Sequence, residues 1–237
     1  MSLSPYAKDA YYDNVVFRSS FNSLPVVDDS KYHHSLSAGS NVSISSSSVS
    51  GTGSLNPSAS SSNSSVTFPT HSSLDLPAEF TIEFFIRNYK TDSCIFGLGI
   101  GPYLFGEAAG TTRMRMANGQ TITCAIPLNN SSFIHVAITR DASDVVRTYY
   151  GGNLQNSATA SGTQSFSGNI IANRASGYSG DFQLDEFRIT KGVARYTGST
   201  YTIPTINNVW NVQKNGLYVL NKPTQVNQNV TIRRIGI

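Results

Sequence analysis

Residues 80–87 read FTIEFFIR, and large apolar side chains recur at every second position. In an extended chain the residues at 80, 82, 84 and 86 share one face, and this period of two predicts a β-strand packed on a core from one side. Residues 133–139 (FIHVAIT) repeat the pattern. Residues 144–150 (DVVRTYY) follow after a short polar turn, so we expect these two strands to form a hairpin or to be neighbours in one sheet.

Short strand patterns continue along the rest of the chain, and little of it has a helical period. They occur at Asn14–Phe17, Cys94–Leu98, Arg113–Met116, Thr121–Ile126, Phe182–Thr190, Gly216–Leu220 and Val230–Ile235. Turn pairs such as Asn118-Gly119 and Asn215-Gly216 separate them. Many short strands in one chain predict an all-β fold, a two-layer antiparallel β-sandwich of the jelly-roll type.

Composition narrows the classes of function. The chain has 237 residues, of which 39% are hydrophobic, and 17 basic against 14 acidic residues give a formal charge of +3. The basic residues are scattered, which argues against nucleic-acid binding. No apolar run is long enough for a membrane span and residues 1–10 lack an export signal, so we expect synthesis in a cytoplasm and no membrane insertion. Cys94 and Cys124 lack metal-ligand spacing and are expected to be free thiols.

The chain divides into three parts on its strand pattern. We expect an N-terminal arm at residues 1–12, a jelly-roll domain at 13–205, and a C-terminal extension at 206–237 that adds strands or contacts another subunit. Residues 35–65 are rich in serine and poor in charge. They fit either a flexible linker or surface loops with short edge strands such as Val42–Ser45.

Three stretches, at residues 80–86, 133–140 and 184–196, resemble the concanavalin A-like lectin/glucanase superfamily in the LamG-like form common in bacteriophage virion and tail proteins. The run LDEFRITKGVARYTG at residues 184–198 is the most specific, and the similarity spans roughly residues 9–205. The resemblance implies a jelly roll of two curved antiparallel sheets. In relatives the concave face or the loop rim often contacts carbohydrate.

Hydrolysis is the least favoured function. Glucanases of this superfamily resemble one another in a Glu-x-Asp-x-x-Glu strand, and the chain contains no such string. In the nearest acidic cluster Asp185 and Glu186 are adjacent on a strand and point to opposite faces, which does not suit a retaining pair. Asp185 shares the face of Phe187 and Ile189, so we expect it to be buried and bonded to backbone N–H groups or to an arginine. We therefore expect no enzymatic activity.

Sugar recognition would need an aromatic face together with a few polar groups. Tyr178 is the best single candidate because it lies in a glycine-flanked loop, and Tyr103, His135 and Asn153 complete the predicted glycan-binding set. His135 lies on the polar face of its strand, where it could contact a glycan or bond across strands. These two roles remain open at this stage.

No metal or cofactor site stands out. Calcium is the usual partner of several lectin-like jelly rolls and needs oxygens that converge from loops. The available donors form no dense acidic loop, so they are weak candidates and ordinary turn carboxylates are the simpler interpretation. They are Asp28, Asp29, Asp141, Asp144 and Asp181.

On this reasoning we expect a non-enzymatic bacteriophage structural protein, a capsid-decorating or tail-associated subunit located in the virion and made in the host bacterial cytoplasm. The alternative is a glycan-binding adhesin for host surface polysaccharide, and a glycoside hydrolase ranks below both. Other virion proteins and further copies of the chain are the expected partners. Apolar and aromatic residues in the two termini are the predicted subunit contacts, namely Tyr11, Tyr12, Trp210, Tyr218 and Ile232.

Overall fold

A computed structural model describes residues 9–57, 63–90, 93–97, 102–106, 112–124, 126–127, 129–174 and 178–204, with the side chains of 173–174 and 178–179 left out. The predicted strands Gly216–Leu220 and Val230–Ile235 lie outside these residues, as do Trp210, Tyr218 and Ile232. Within the described part the elements are strands and two short 3₁₀ turns, Tyr12–Asn14 and Ser72–Leu74. No helix among the described residues is long and apolar enough to cross a membrane.

The larger sheet has eight strands, in the order β14-β13-β12-β7-β19-β4-β3, with β1 also paired to β19. All of its strand pairs are antiparallel. The strands are β1 (Val15–Ser19), β3 (Val42–Ser45), β4 (Ser54–Pro57), β7 (Phe80–Arg87), β12 (Ile134–Arg140), β13 (Val145–Tyr150), β14 (Asn153–Thr159) and β19 (Gln183–Lys191). We call this the first sheet.

The second sheet has seven strands, in the order β11-β10-β9-β8-β16-β5-β2. They are β2 (Ser37–Ala38), β5 (Val66–Thr67), β8 (Cys94–Phe96), β9 (Tyr103–Gly106), β10 (Thr112–Arg115), β11 (Thr121–Thr123) and β16 (Ile170–Ile171). Two short ladders flank the sheets, β6 (Asp75–Leu76) with β15 (Gln164–Ser165) and β17 (Asn173–Arg174) with β18 (Tyr178–Ser179). The predicted antiparallel sandwich is confirmed.

The serine-rich stretch forms edge strands. Residues 37–38, 42–45 and 54–57 are β2, β3 and β4, and β4 pairs with β19 at Leu184↔Leu55. The side chain of Leu55 is fully buried, which anchors this stretch to the core. Of the two readings of residues 35–65, the described part fits edge strands and loops rather than a flexible linker.

The core lies between the two sheets and is rich in phenylalanine. Phe187 of the first sheet stacks on Phe84 at 5.6 Å and meets Phe96 of the second sheet edge-on at 6.0 Å. All three side chains are fully buried. The alternation of residues 80–87 supplies this core as predicted, because Phe80, Ile82, Phe84 and Ile86 are all at 0% exposure.

Both cysteines are buried and free. Burial raises the pKa of the Cys124 thiol to about 12, so it stays protonated at neutral pH. The predicted free thiols are confirmed.

A bulge in β19 changes which face its acidic residues occupy. Asp185 pairs with Phe85 and Arg188 with Glu83, so the two intervening residues of β19 oppose only one of β7. Glu186 takes a positive φ of 50° at this point. Asp185 therefore lies with Arg188 on the face turned away from the core, and its predicted sharing of a face with Phe187 and Ile189 is wrong.

Replacing Phe187 by alanine should lower the free energy of unfolding by about 3–5 kcal/mol, because it opens a cavity between the sheets. Phe133→Ala is the matched control. Phe133 is partly exposed beside Arg87, so its loss should cost about 1 kcal/mol or less. Urea unfolding measures both variants. Equal losses for the two would contradict this description of the core.

Candidate functional site

A strap of residues 192–204 leaves β19 and crosses the outer face of the first sheet. Hydroxyl groups of the sheet bind its backbone: Thr139 Oγ1 donates to the Tyr196 carbonyl and Tyr149 Oη to the Gly198 carbonyl, each at 2.9 Å. The strap ends beside the β13–β14 turn, where Tyr201 N donates to the Gly152 carbonyl at 2.9 Å. The outer face of this sheet is therefore covered.

Glu83 lies under the strap at 1% exposure and binds four side chains. Arg188 Nε and Nη2 reach its Oε1 at 2.7 and 2.6 Å, and Tyr196 Oη donates to its Oε2 at 2.8 Å. Arg195 Nε and His135 Nε2 lie at 3.5 and 3.4 Å. Burial alone would raise the pKa of Glu83, but Arg188 foremost, with His135 and Arg195, outweighs it and holds the pKa well below the usual range.

Asp9 completes this charged cluster. Both of its carboxylate oxygens accept from Arg195 at 2.9 Å, and Arg188 Nη1 also donates to it at 2.9 Å. Two carboxylates thus face two guanidinium groups, with every charge opposed by a neighbour. An active site needs a group free to react, and the side chains around Glu83 are committed to one another, so we interpret this cluster as structural.

His135 belongs to the buried cluster. Its Nδ1 atom is 2.6 Å from Tyr201 Oη, its ring packs on Phe85, and only 3% of the residue is exposed. Of the two roles left open by the sequence, the structure shows cross-strand bonding, and we no longer assign His135 to a glycan surface.

The other predicted glycan residues do not converge. Tyr103 is on the second sheet, 4% exposed, and its hydroxyl accepts from Arg115 Nη1 at 2.8 Å. Asn153 starts β14 on the first sheet and is exposed, with its amide donating to the Gly151 carbonyl at 3.0 Å. Tyr178 lies in β18, and its side chain is outside the described atoms. Of these residues, the two with described side chains, Tyr103 and Asn153, lie on different sheets and do not form one site.

Two of the calcium candidates have carboxylates that are already bonded to other protein groups. The Asp28 carboxylate accepts hydrogen bonds from Arg18 N, from both Ser30 N and Oγ, and from His34 N, at 2.8–3.1 Å. Asp141 is paired with Arg147 at 2.5 Å.

Two further candidates show no converging donors. The Asp144 carboxylate is half-exposed and lies 3.8 Å from Arg140 Nε. Asp181 offers its backbone carbonyl to Lys90 N at 3.1 Å. Among the residues that the structure describes, no group of three or more His, Cys, Asp or Glu could hold a metal ion.

Of the predicted subunit contacts, the two at the N-terminus are described. Tyr11 is 41% exposed, with the Arg195 guanidinium 5.1 Å from its ring centroid. Tyr12 lies in the first 3₁₀ turn and is partly buried. An exposed ring beside the strap fits the predicted contact but does not test it.

A cavity of about 180 Å³ opens beside the end of β1. The loop that follows β1 forms it, and its lining residues are Ser19, Ser20, Phe21, Asn22, Ser23, Val27 and Asp29. We call this the 19–29 cleft. Among these residues the sequence predicts a ligand role only for Asp29, as a weak calcium donor. The one signal for a cleft is a run of serines and an asparagine just after a strand.

Asn22 fixes the shape of the cleft. Its side-chain oxygen accepts from Thr52 N at 2.6 Å and from Gly53 N at 3.1 Å, and its amide donates to Ser20 Oγ at 2.8 Å. On the opposite wall Asp29 N donates to the Arg18 carbonyl at 2.8 Å. The cleft is therefore held between two loops and the edge of the first sheet.

The cleft presents polar groups with spare capacity. Among the described residues no hydrogen bond reaches the Asp29 carboxylate, which is partly exposed. Ser19, Ser20 and Ser23 line the same space, although Ser19 is only 1% exposed and the hydroxyl oxygens of Ser19 and Ser20 already accept from Phe21 N and the Asn22 amide. Val27 beside them is 51% exposed. Such a site can accept and donate hydrogen bonds around a small polar ligand while giving it an apolar contact.

Two acidic residues lie close to the cleft but are buried. Burial raises the pKa of Glu186 to about 7 despite Arg18, whose Nη2 atom is 3.9 Å from Oε2, and the charges of Asp185 and Asp29 raise it further. Burial likewise raises the pKa of Asp185 to about 6, although the N–H groups of Val49 and Ser50 bind its carboxylate. The bonding of Asp185 to backbone N–H groups matches the sequence-based expectation.

Glu83→Gln should lower the free energy of unfolding by about 3 kcal/mol at pH 7, because it leaves the buried charges of Arg188 and Arg195 less compensated. The depressed pKa of Glu83 means that its stabilising charge is present above its unfolded pKa and is lost as the pH falls through the folded value. The difference from wild type, measured by urea unfolding, should therefore shrink in strong acid. Unchanged stability at pH 7 would contradict the role given to Glu83.

The stability of the wild type should fall between pH 5 and pH 8. With its pKa raised, folded Glu186 keeps a proton at pH 6 that the unfolded chain releases, so folding is favoured on the acid side and that advantage is lost as the pH rises through about 7. The glutamine side chain in Glu186→Gln cannot titrate. This variant should therefore lose up to about 3 kcal/mol of the change in unfolding free energy between pH 5 and pH 8. Urea unfolding at several pH values measures it. Parallel profiles for the two proteins would show that Glu186 is ionised throughout.

Residues 60–195 match a family model described as the concanavalin A-like lectin/glucanases superfamily. No curated protein sequence matches the chain. The binding domain of Paraclostridial Mosquitocidal Protein 1 is similar in structure, with a TM-score of 0.60 and 18% identity over 76% of this chain and 49% of that one.

Botulinum neurotoxin domains give similar values. The serotype G binding domain has a TM-score of 0.59 and 17% identity over 78% of this chain and 49% of that one. The serotype D ligand binding domain in complex with N-acetylneuraminic acid has a TM-score of 0.59 and 15% identity over the same shares, 78% and 49%. The chain therefore spans about half the length of these structures, and at such identities the likeness shows the fold alone.

The family match covers more than half of the chain and includes the stretches at residues 80–86 and 133–140 and all but the last residue of 184–196. The two antiparallel sheets have the lectin-like architecture that the resemblance implied. The chain belongs to the concanavalin A-like lectin/glucanases superfamily.

Proposed function

We propose that this chain is a non-enzymatic carbohydrate-binding module and that the 19–29 cleft holds the sugar. The observation that carries the proposal is the cleft itself, a cavity of about 180 Å³ whose lining residues include three serines and Asp29. Its size suits one sugar ring. A lectin-like fold that presents such a cleft on its loops is a scaffold for recognition.

The chemistry of the cleft matches that of a sugar. The Asp29 carboxylate can accept hydrogen bonds from two neighbouring sugar hydroxyls, and the serines can donate to or accept from others. Val27 lines the cleft, is 51% exposed and offers apolar contact to the C–H face of the ring. Because Asn22 already fixes the loop, binding orders little further chain.

The structural neighbours support a binding role. They are binding domains, and the botulinum serotype D domain was solved with N-acetylneuraminic acid. The cleft lining includes one carboxylate, Asp29, whereas hydrolysis of a glycosidic bond generally uses two at a set separation. Asp185 and Glu186 lie nearby at 0% and 3% exposure. Both points favour binding over hydrolysis.

The predicted place in a bacteriophage particle stays a prediction, as do the virion partners and the homo-oligomer. It rests on the resemblance, which is most specific at residues 184–198. In the structure many of these residues bind Glu83, Asp9 and neighbouring loops, and they stabilise the fold wherever the protein is located. A sugar-binding module and a virion subunit are compatible, because loops can recognise a glycan while another surface is anchored.

Asp29→Asn should weaken sugar binding at least about tenfold, because hydrogen bonds to a charged acceptor contribute about 1.5–3 kcal/mol. A glycan array identifies the best ligand, and calorimetric titration of that sugar measures the loss. Asp144→Asn is the matched control, since it removes a half-exposed carboxylate on a separate turn. Both variants should unfold at the wild-type temperature. Equal affinity of wild type and Asp29→Asn, or no binding to any sugar, would contradict the proposal.

A further inference from the structure

Tyr32 presents an exposed aromatic ring near the cleft. Among the described residues four large apolar or aromatic side chains are well exposed: Tyr11, Leu24, Val27 and Tyr32. The ring of Tyr32, 39% exposed, follows Asp29 by three positions in the chain. An exposed ring is the usual surface on which the C–H face of a sugar stacks.

The ring of Tyr32 is held in place by two neighbouring histidine rings. It stacks on the buried ring of His34 with an interplanar angle of 1° and a centroid distance of 5.5 Å. His34 is fixed in turn, because its backbone N–H binds Asp28 at 2.8 Å and its Nε2 atom lies 3.0 Å from Ser73 Oγ. The exposed His71 ring meets Tyr32 edge-on at 6.0 Å. A ligand on this surface would therefore find a ring already ordered.

Two lysines bring positive charge to the same surface. Lys31 Nζ lies 5.3 Å from the Tyr32 ring centroid and donates to the Asp13 carbonyl at 2.6 Å. Lys191 Nζ donates to the carbonyl of Ser72, the neighbour of His71, at 3.2 Å. Among the described residues neither ammonium is paired with a carboxylate. We call Tyr32, His71, Lys31 and Lys191 the Tyr32 platform.

The platform and the cleft are the two ends of one stretch of chain. Residues 29–32 follow the edge strand β1, with Asp29 N bonded to the Arg18 carbonyl and Ser30 Oγ to the Val16 carbonyl. Three residues span at most about 11 Å, which is the length of about two linked sugar rings. A disaccharide is therefore long enough to extend from Asp29 to Tyr32.

We propose that the sugar site extends from the 19–29 cleft onto the Tyr32 platform and selects oligosaccharides that carry an anionic sugar residue there. This inference rests on the proposed function. Tyr32 stacks on the ring of that residue, and the Lys31 and Lys191 ammonium groups pair with its charged group. A carboxylate and a sulfate ester share the required chemistry, and both pair with lysine.

The test is an array of oligosaccharides printed as matched pairs that differ only in one carboxylate or one sulfate. Wild-type protein should bind the anionic member of the best pair at least tenfold more tightly than the neutral member. Lys31→Ala combined with Lys191→Ala should remove that preference, and Tyr32→Ala should weaken both members. Lys90→Ala is the matched control, because Lys90 is an exposed lysine bonded to Asn129 and away from this surface. The preference should also fall with added salt.

Each outcome separates the two proposals. Binding that depends on Asp29 but is equal for neutral and anionic members overturns the inference and leaves the proposed function standing. An anionic preference that depends on the two lysines but not on Asp29 overturns the cleft as the sugar site. A preference that survives in the double lysine variant, or is lost equally in Lys90→Ala, overturns the platform. Preference for carboxylate pairs, for sulfate pairs or for both identifies the anionic group.

Discussion

The ion pairing of Glu83 with Arg188 and Arg195 is the interaction on which this fold depends most. A carboxylate at 1% exposure on a sheet is stable only if opposite charges accompany it, and Arg188 and Arg195 supply them. Arg188 comes from the neighbouring strand and Arg195 from the strap that follows it, so one ionised group joins β7 to a segment more than 100 positions later in the chain. Covering it then requires the strap, whose tyrosines fill the space above the sheet.

This arrangement explains the most specific stretch of the sequence. In residues 184–198 the leucine, phenylalanine and isoleucine of β19 enter the core. Arg188 of β19 and Arg195 and Tyr196 of the strap bind Glu83. Asp185 holds the backbone of Val49 and Ser50, and Thr190 Oγ1 accepts from Arg195 Nε at 2.9 Å. The stretch resembles a family because it builds that family's fold.

Strand periodicity predicted the fold but not the site. The alternation at residues 80–87 and 133–139 was sufficient for the first sheet, because burial on one face leaves a local trace in the sequence. The bulge at Glu186 left no such trace, and the alternation therefore put Asp185 on the wrong face. The burial of His135 depends on Tyr201, which is 66 positions away. The cleft depends on Asn22 meeting Thr52 and Gly53, a contact that serine-rich composition does not reveal.

Asp9 has a practical consequence for shortened forms of the protein. Strand patterns put the start of the domain at residue 13, and a truncation there would discard a carboxylate that two guanidinium groups share. The remaining chain would keep every strand and still carry excess positive charge beneath its strap. Expression of the isolated domain should therefore include Asp9, even though residues 9–11 belong to no strand or helix.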